Sequence, residues 1–296
     1  MSRPFVLFAL MSVIWGIPYL FIRIAVAEVS PAFLVMARTG IAAAILLPIA
    51  LLRTDLRPVL HRWRWLVAFA AIEIAIPWVL LASAEQKVTS SLAALVIAGV
   101  PLVGVAIALL SGRSERMGQI GLLGLLVGIV GVAVIVGGDL GSTDPIAIVE
   151  LAAVAVCYAL GPVILARRLS GVPAVGVMSL SLGLTCLVYI PFAALTWPTG
   201  VPSPAVIGSI ATLAIVCTAI AFLVFAALID AVGPVRSTVI TYINPAVAAL
   251  LGVVVLNETL TPAMIAGFGL VTLGSILATR TPRNQADAVP AVPLTG

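Results

Sequence analysis

The chain has 296 residues, 62% of them hydrophobic and only 9% charged, with a net charge of +4. A soluble domain of this size carries roughly a quarter of its residues as Asp, Glu, Lys and Arg, so a soluble fold is excluded, and little chain is left for a soluble catalytic domain. The apolar residues fall in blocks of about 20, enough for a helix to cross roughly 30 Å of hydrocarbon, without the alternation of barrel strands; an all-α integral membrane fold is expected.

Ten spans are predicted, at about 5–27, 31–52, 65–84, 88–110, 118–138, 146–167, 173–197, 204–228, 234–256 and 262–279. The first begins like a secretory signal, with Arg3 before an apolar run and Ala25-Val26-Ala27 resembling a cleavage site. It is too long for a signal and carries Arg23, so it is read as a retained helix with Arg23 as a snorkelling anchor. Ser12, Trp15 and Tyr19 recur on it at three- and four-residue spacing and share one face. In the second span Arg38 lies seven residues in, deep enough to meet a substrate carboxylate with a bidentate guanidinium. Its alternative role is structural, capping carbonyls at a bend or snorkelling outward.

The third span carries Glu73 about eight residues from its start, read as the only carboxylate at such depth. Either it binds a proton or a substrate amine, or it is a protonated, hydrogen-bonded structural acid. Trp78, next to Pro77, joins Tyr158, Tyr189 and Tyr242 as aromatic surface that can stack on substrate or simply pack. Pro18, Pro77, Pro101, Pro162 and Pro245 all fall within spans, so several helices are expected to kink. The fifth span places Gly121, Gly124, Gly128 and Gly131 on one bare face, echoed in the tenth by Ala263, Gly267 and Gly274. Such faces serve close helix packing or a homodimer contact; the chain is otherwise expected to be a monomer.

Cys157, Cys186 and Cys217 lie inside the sixth, seventh and eighth spans without metal-ligand spacing and are read as core residues. The ninth carries Ser237, Thr241 and Asn244 on one face, and Pro245 removes the backbone donor that would face the Thr241 carbonyl. Interrupted helices of this kind line transporter sites. Glu115 and Glu258 stand at helix junctions, as gating groups or in helix-terminus pairing. Residues 281–296, with Pro282, Pro290 and Pro293, are read as a short disordered cytoplasmic tail.

Arginines set the orientation. Arg53, Arg57, Arg62 and Arg64 follow the second span, Arg113 and Arg116 the fourth, Arg167 and Arg168 the sixth, and Arg280 and Arg283 the tenth. With ten spans and cytoplasmic termini all of them share one side with Arg3, while Glu28, Asp139, Asp144 and Lys87 occupy the other.

Sliding the sequence against itself at an offset of 143 residues aligns Trp15 with Tyr158, Gly40 with Gly183, Pro48 with Pro191, Glu115 with Glu258, Gly124 with Gly267 and Gly131 with Gly274. Two five-helix repeats are therefore expected, at 1–140 and 141–280, the second inverted because five is odd. Inverted repeats build paired gates around a midplane site in many secondary transporters.

Trp15-Gly16 followed by Arg23, Pro31 and Arg38, Pro101 before Glu115, then Tyr158-Ala159, Arg167-Arg168, Asn244-Pro245 and Asn257-Glu258 resemble the ten-helix drug/metabolite transporters built of two EamA-type repeats. The chain departs from that pattern at Arg23, where Lys is common, and at Tyr158, where Trp is usual. The resemblance implies export of amino acids or other small metabolites without ATP, and the chain is placed nearest exporters of neutral or aromatic amino acids. It also implies a cavity ringed by helices 1, 3, 4, 6, 8 and 9, with helices 5 and 10 outside. Trp15, Tyr19, Glu73, Trp78, Tyr158, Tyr242 and Asn244 are the candidate substrate-binding residues, and Arg38, Pro101, Pro245 and Glu258 the gating or structural ones.

No GxxxxGK[ST] loop and no HExxH helix occur, and His61 is the sole histidine. No cofactor, metal, nucleic acid or enzymatic activity is expected; the partners are a small-molecule substrate and the lipid of a bacterial-type inner membrane. An intramembrane enzyme or a passive channel for small amphipathic solutes is the alternative.

Overall fold

The computed structural model describes residues 3–110, 119–138, 144–232 and 238–279; their regular structure is helical, with no strand among them. The expectations for Arg113, Glu115, Arg116, Asp139, Ser237, Arg280, Arg283 and the tail concern residues outside these. Nine helices among the described residues are long and apolar enough to cross a membrane: α1 (Pro4–Ala25), α2 (Pro31–Arg53), α3 (Trp63–Ala84), α4 (Ser90–Leu110), α5 (Gln119–Gly137), α6 (Pro145–Arg168), α7 (Ala174–Leu195), α8 (Pro204–Ile229) and α10 (Pro262–Thr279). Between the last two lies a shorter apolar helix, α9 (Ile240–Leu256), and residues 234–237 of the ninth predicted span lie outside the described residues. Its first turns are a 3-10 segment, Thr238–Tyr242, and α-helix resumes only at Asn244, ahead of Pro245.

Local chemistry sets the starts of the even-numbered helices. Ser30 accepts from Phe33 N–H at 3.1 Å, Thr89 from Leu92 at 3.2 Å, Asp144 from Ile146 at 2.7 Å, Ser203 from Val206 at 3.4 Å and Thr261 from Met264 at 3.2 Å. A short polar side chain takes one of the four orphaned N–H groups at a helix start. In α2, α6, α8 and α10 proline follows directly, where its missing N–H costs nothing.

Proline also breaks helices. Pro18 has no N–H for the Ile14 carbonyl, and α1 turns through Trp15-Gly16-Ile17, where Gly16 N–H bonds to Val13 O at 2.9 Å. Pro101 does the same in α4, which is interrupted after Ile97 and resumes at Val100. Pro77 follows a π-helical turn, Ala70–Ala75. A second π turn, Ile215–Ile220, interrupts α8 without any proline. Pro162 lies inside α6, which continues as α-helix past it.

Helix pairing follows the two halves. α5 packs on α10, α2 on α7, α4 on α9, α3 on α6 and α1 on α8. Replacing every helix by the one five places along returns the same set of pairs. The bare faces of α5 and α10 meet each other within the chain: a Cβ on Gly131 would lie 2.6 Å from Val271 N and 2.8 Å from Gly267 O. Gly128 receives Leu102 of α4. A dimer through these two helices would have to use other faces.

Candidate functional site

Four helices bring their charged and aromatic groups to one buried place. Capped at Ser30 and started by Pro31, α2 carries Arg38 roughly 10 Å along its axis, where the residue is only 7% exposed. An arginine at such depth needs partners, and two are provided. Its Cζ lies 3.7 Å from the centroid of the Trp78 ring of α3, and its Nε donates to Thr218 Oγ1 of α8 at 3.0 Å. Thr218 sits in the π turn and its hydroxyl donates in turn to Leu213 O at 2.8 Å.

Glu73 stands in the other π turn. It packs directly on Gly161 of α6, where any Cβ would collide with the Glu73 carboxylate. Its Oε2 is buried and has no hydrogen-bond partner, and Tyr158 and Cys157 of α6 lie within its electrostatic reach. Tyr158 also interacts with Arg38 and Trp78. Tyr189 of α7 ties the same turn by donating to Ala75 O at 2.9 Å. The cluster thus joins Arg38, Glu73 and Trp78 from the first half to Tyr158, Gly161 and Thr218 from the second.

Tyr19 of α1 is 9% exposed and interacts with both Tyr158 and Glu85. Trp15 instead turns to α8, its ring 4.6 Å from Phe225 and 6.4 Å from Phe222. Asn244 occupies the break in α9 opposite the break in α1. With its amide nitrogen facing acceptors, it donates to Ile240 O at 2.9 Å and to Ser12 O at 3.0 Å. The Ser12 carbonyl is available because Gly16 N–H turns to Val13, so Asn244 ties two interrupted helices together. Tyr242 is half-buried in the 3-10 segment. Pro101 and Pro245 each stand at the first turn of a resumed helix.

Polar contacts knit the face that carries the connections from odd to even helices. Glu258 accepts from Ser90 N at 2.8 Å, from Ser91 N at 2.9 Å and from Ser91 Oγ at 2.5 Å, an anion on the N-terminus of α4. Glu28 accepts from Ser203 N–H at 2.7 Å, and this bonding at the start of α8 lowers its pKa below the usual carboxylate range. Ser30 and Thr196 share a hydrogen bond of 2.7 Å, and Gln86 donates to Val26 O at 3.2 Å. On the opposite face Arg62 donates to the carbonyls of Arg168 and Ser170 at 3.0 and 2.7 Å.

Glu73 is not alone in depth. Glu85, one residue past the end of α3, is fully buried. Glu150 lies inside α6, bonded to Lys87 at 3.0 Å and to Ser83 Oγ at 2.6 Å. Neither is singled out by the sequence: Glu85 stands just past an apolar block, and Glu150 in the second turn of α6. Thr218 and Gly161 were equally hidden: one needed the π turn to point inward, the other the α3–α6 contact. Two cavities lined mostly by apolar residues lie between helices, and no residue of the cluster lines either. One of about 560 Å³ lies between the π turn of α3 and α7, with Ala71, Ala75, Thr185 and Tyr189 in its wall. Another of about 180 Å³ is lined by Leu46, Met178, Phe222 and Phe225, the last two being the rings that hold Trp15.

An apolar helical bundle with interrupted helices and charged groups buried between its two halves has the make-up of a membrane transporter. The EamA-like transporter family model matches residues 3–137 and again 145–280, and the chain belongs to that family. It is similar to the uncharacterized inner membrane transporter YedA of Escherichia coli strain K12, 29% identical over 284 residues that cover 92% of this chain and 89% of the relative. YedA of strain O157:H7 gives the same values. A crystal structure with 24% sequence identity superposes with a TM-score of 0.65 over 94% of this chain and 97% of the other, so the fold is shared. The chain is a membrane transporter.

Proposed function

We propose that the protein is a secondary exporter of small zwitterions, best matched by neutral or aromatic amino acids, working by alternating access in a bacterial-type inner membrane. One observation carries the substrate class: a guanidinium, Arg38, and a carboxylate, Glu73, both interacting with or beside Tyr158, stand at the junction of the halves with the Trp78 ring between helices. Arg38 takes the substrate carboxylate, Glu73 its ammonium group, and the aromatic rings its side chain.

Support for alternating access comes from the exchange symmetry of the helix pairs, the paired π turns of α3 and α8, and the double match of the family model. These fit two inverted repeats, 1–140 and 141–280, rocking about the central cluster. The arginine distribution favours cytoplasmic termini, which puts the knitted odd-to-even face outside, and the name of the relative favours the inner membrane. The test is a transport screen of the purified chain in liposomes over intact amino acids, their decarboxylated amines and their deaminated acids. Transport confined to molecules carrying both charged groups is expected; equal transport of the amines and acids would overturn the zwitterion assignment.

A further inference from the structure

Thr218 is a buried hydroxyl that makes two hydrogen bonds, one of them to a charged group. It is 1% exposed and stands fourth in the π turn Ile215–Ile220 of α8. Glu73 stands fourth in the π turn Ala70–Ala75 of α3, the helix five places earlier. A π turn takes one residue more than the α-helical turn it replaces, and each residue carries the chain about 100° around the helix axis. Both turns therefore re-aim their fourth residue relative to the helix before it.

The contacts of Thr218 allow one arrangement of protons. A guanidinium can only donate, so in the 3.0 Å contact Arg38 Nε gives and Thr218 Oγ1 accepts. The hydroxyl proton goes instead to Leu213 O at 2.8 Å, five residues back. In an α-helix such back-bonding reaches the carbonyl three or four residues back; the π turn brings the fifth within reach. Arg38 is thereby fixed twice, its face by the Trp78 ring, 3.7 Å from Cζ, and its Nε edge by Thr218. The other N–H groups of the guanidinium are those on Nη1 and Nη2, and among the described residues Arg38 has no ion-pair partner.

We propose that Thr218 is a positioning residue for substrate recognition: it occupies Nε, so that Arg38 meets the substrate carboxylate end-on, through Nη1 and Nη2. This rests on the reading of Arg38 as the carboxylate-binding group. Two parallel N–H donors match the two oxygens of a carboxylate, and a guanidinium already held at its face and one edge loses little freedom when that pair forms. Thr218 touches no substrate itself. The fourth residues of the two π turns thus serve the two ends of one zwitterion, Glu73 directly and Thr218 through Arg38.

The experiment measures uptake of labelled phenylalanine into liposomes holding the full chain, and its inhibition by phenethylamine, which lacks the carboxylate. Thr218→Val keeps the shape and removes the hydroxyl; the KM for phenylalanine is expected to rise roughly tenfold, as for loss of one bond to a charged group, while the inhibition constant of phenethylamine stays as in wild type. Thr218→Ser, which keeps the hydroxyl, restores most of the affinity. If Thr218→Val fails to insert, Thr218→Ala takes its place. An unchanged KM in the variant without the hydroxyl, a Thr218→Ser equally impaired, or an equal loss for phenylalanine and phenethylamine overturns the proposal while leaving the transport function standing. Should wild type bind phenylalanine no better than phenethylamine, the carboxylate-binding reading of Arg38 fails. The emission of Trp78 then decides whether Thr218 positions the guanidinium, in a detergent-solubilised chain with Trp15, Trp63, Trp65 and Trp197 replaced by Phe. A spectrum shifted by Thr218→Val and restored by Thr218→Ser upholds it; identical spectra overturn it.

Discussion

In the proposed site Arg38 and Glu73 take opposite ends of the substrate, and each is held by a different kind of contact. The guanidinium lies over the Trp78 ring, 3.7 Å from its centroid, and donates through Nε to Thr218, a pair of contacts that suits a guanidinium. Arg38→Lys keeps the charge but loses the stacking and the directed bond. A bond to a charged group is worth about 1.5–3 kcal/mol, so substrate transport should fall about ten- to a hundredfold, measured as initial uptake rate at equal protein insertion. Glu73 depends on the absence of a side chain at 161. Gly161→Ala puts a Cβ into the Glu73 carboxylate; both it and Glu73→Gln are expected to lose selectivity for substrates carrying an ammonium group, although in Gly161→Ala the acid itself remains. If Gly161→Ala transports with the wild-type substrate range, the carboxylate does not act from this position.

At the scale of helices, interruption and close approach are the two recurring devices. The α5–α10 contact is made of backbone meeting backbone at Gly124, Gly131, Gly267 and Gly274, with no room for a methyl group. Gly131→Ala is expected to lower stability by about 1–3 kcal/mol through overpacking, whereas Gly269→Ala, whose Cβ would meet nothing within 4 Å, should be neutral. Thermal unfolding of both variants in detergent makes the comparison; equal melting temperatures would remove the packing role. Much of this level was legible in the sequence. Span positions followed from the apolar blocks of about 20 residues, the breaks in α1 and α4 from Pro18 and Pro101, and the bare faces from glycine spacing. The π turn of α8 was not, because no proline or glycine marks it; within it Thr218 accepts from Arg38, a contact 180 residues away in sequence. Glu85 was hidden for a related reason: a carboxylate one residue beyond an apolar block looks like a loop residue until the fold buries it.

For the molecule as a whole, the arrangement of arginines requires that the α2–α3 connection and the α3–α4 connection lie on opposite sides of the membrane. Single cysteines introduced at Asp55 and Gln86, with Cys157, Cys186 and Cys217 replaced, should react with an impermeant reagent from opposite sides. Reaction of both from one side would refute the topology, and with it the inversion of the second repeat. Under the proposed alternating-access mechanism, the hydrogen bonds of the odd-to-even face would have to break for the site to open on that side. Counterflow tests this most directly: liposomes carrying the purified chain are loaded with unlabelled neutral or aromatic amino acid and diluted into a trace of the labelled form. A carrier that alternates between two faces gives a transient accumulation of label above its outside concentration. A rise to simple equality without overshoot would contradict the account in favour of a channel, and recovery of the label as a different compound would contradict it in favour of an enzyme.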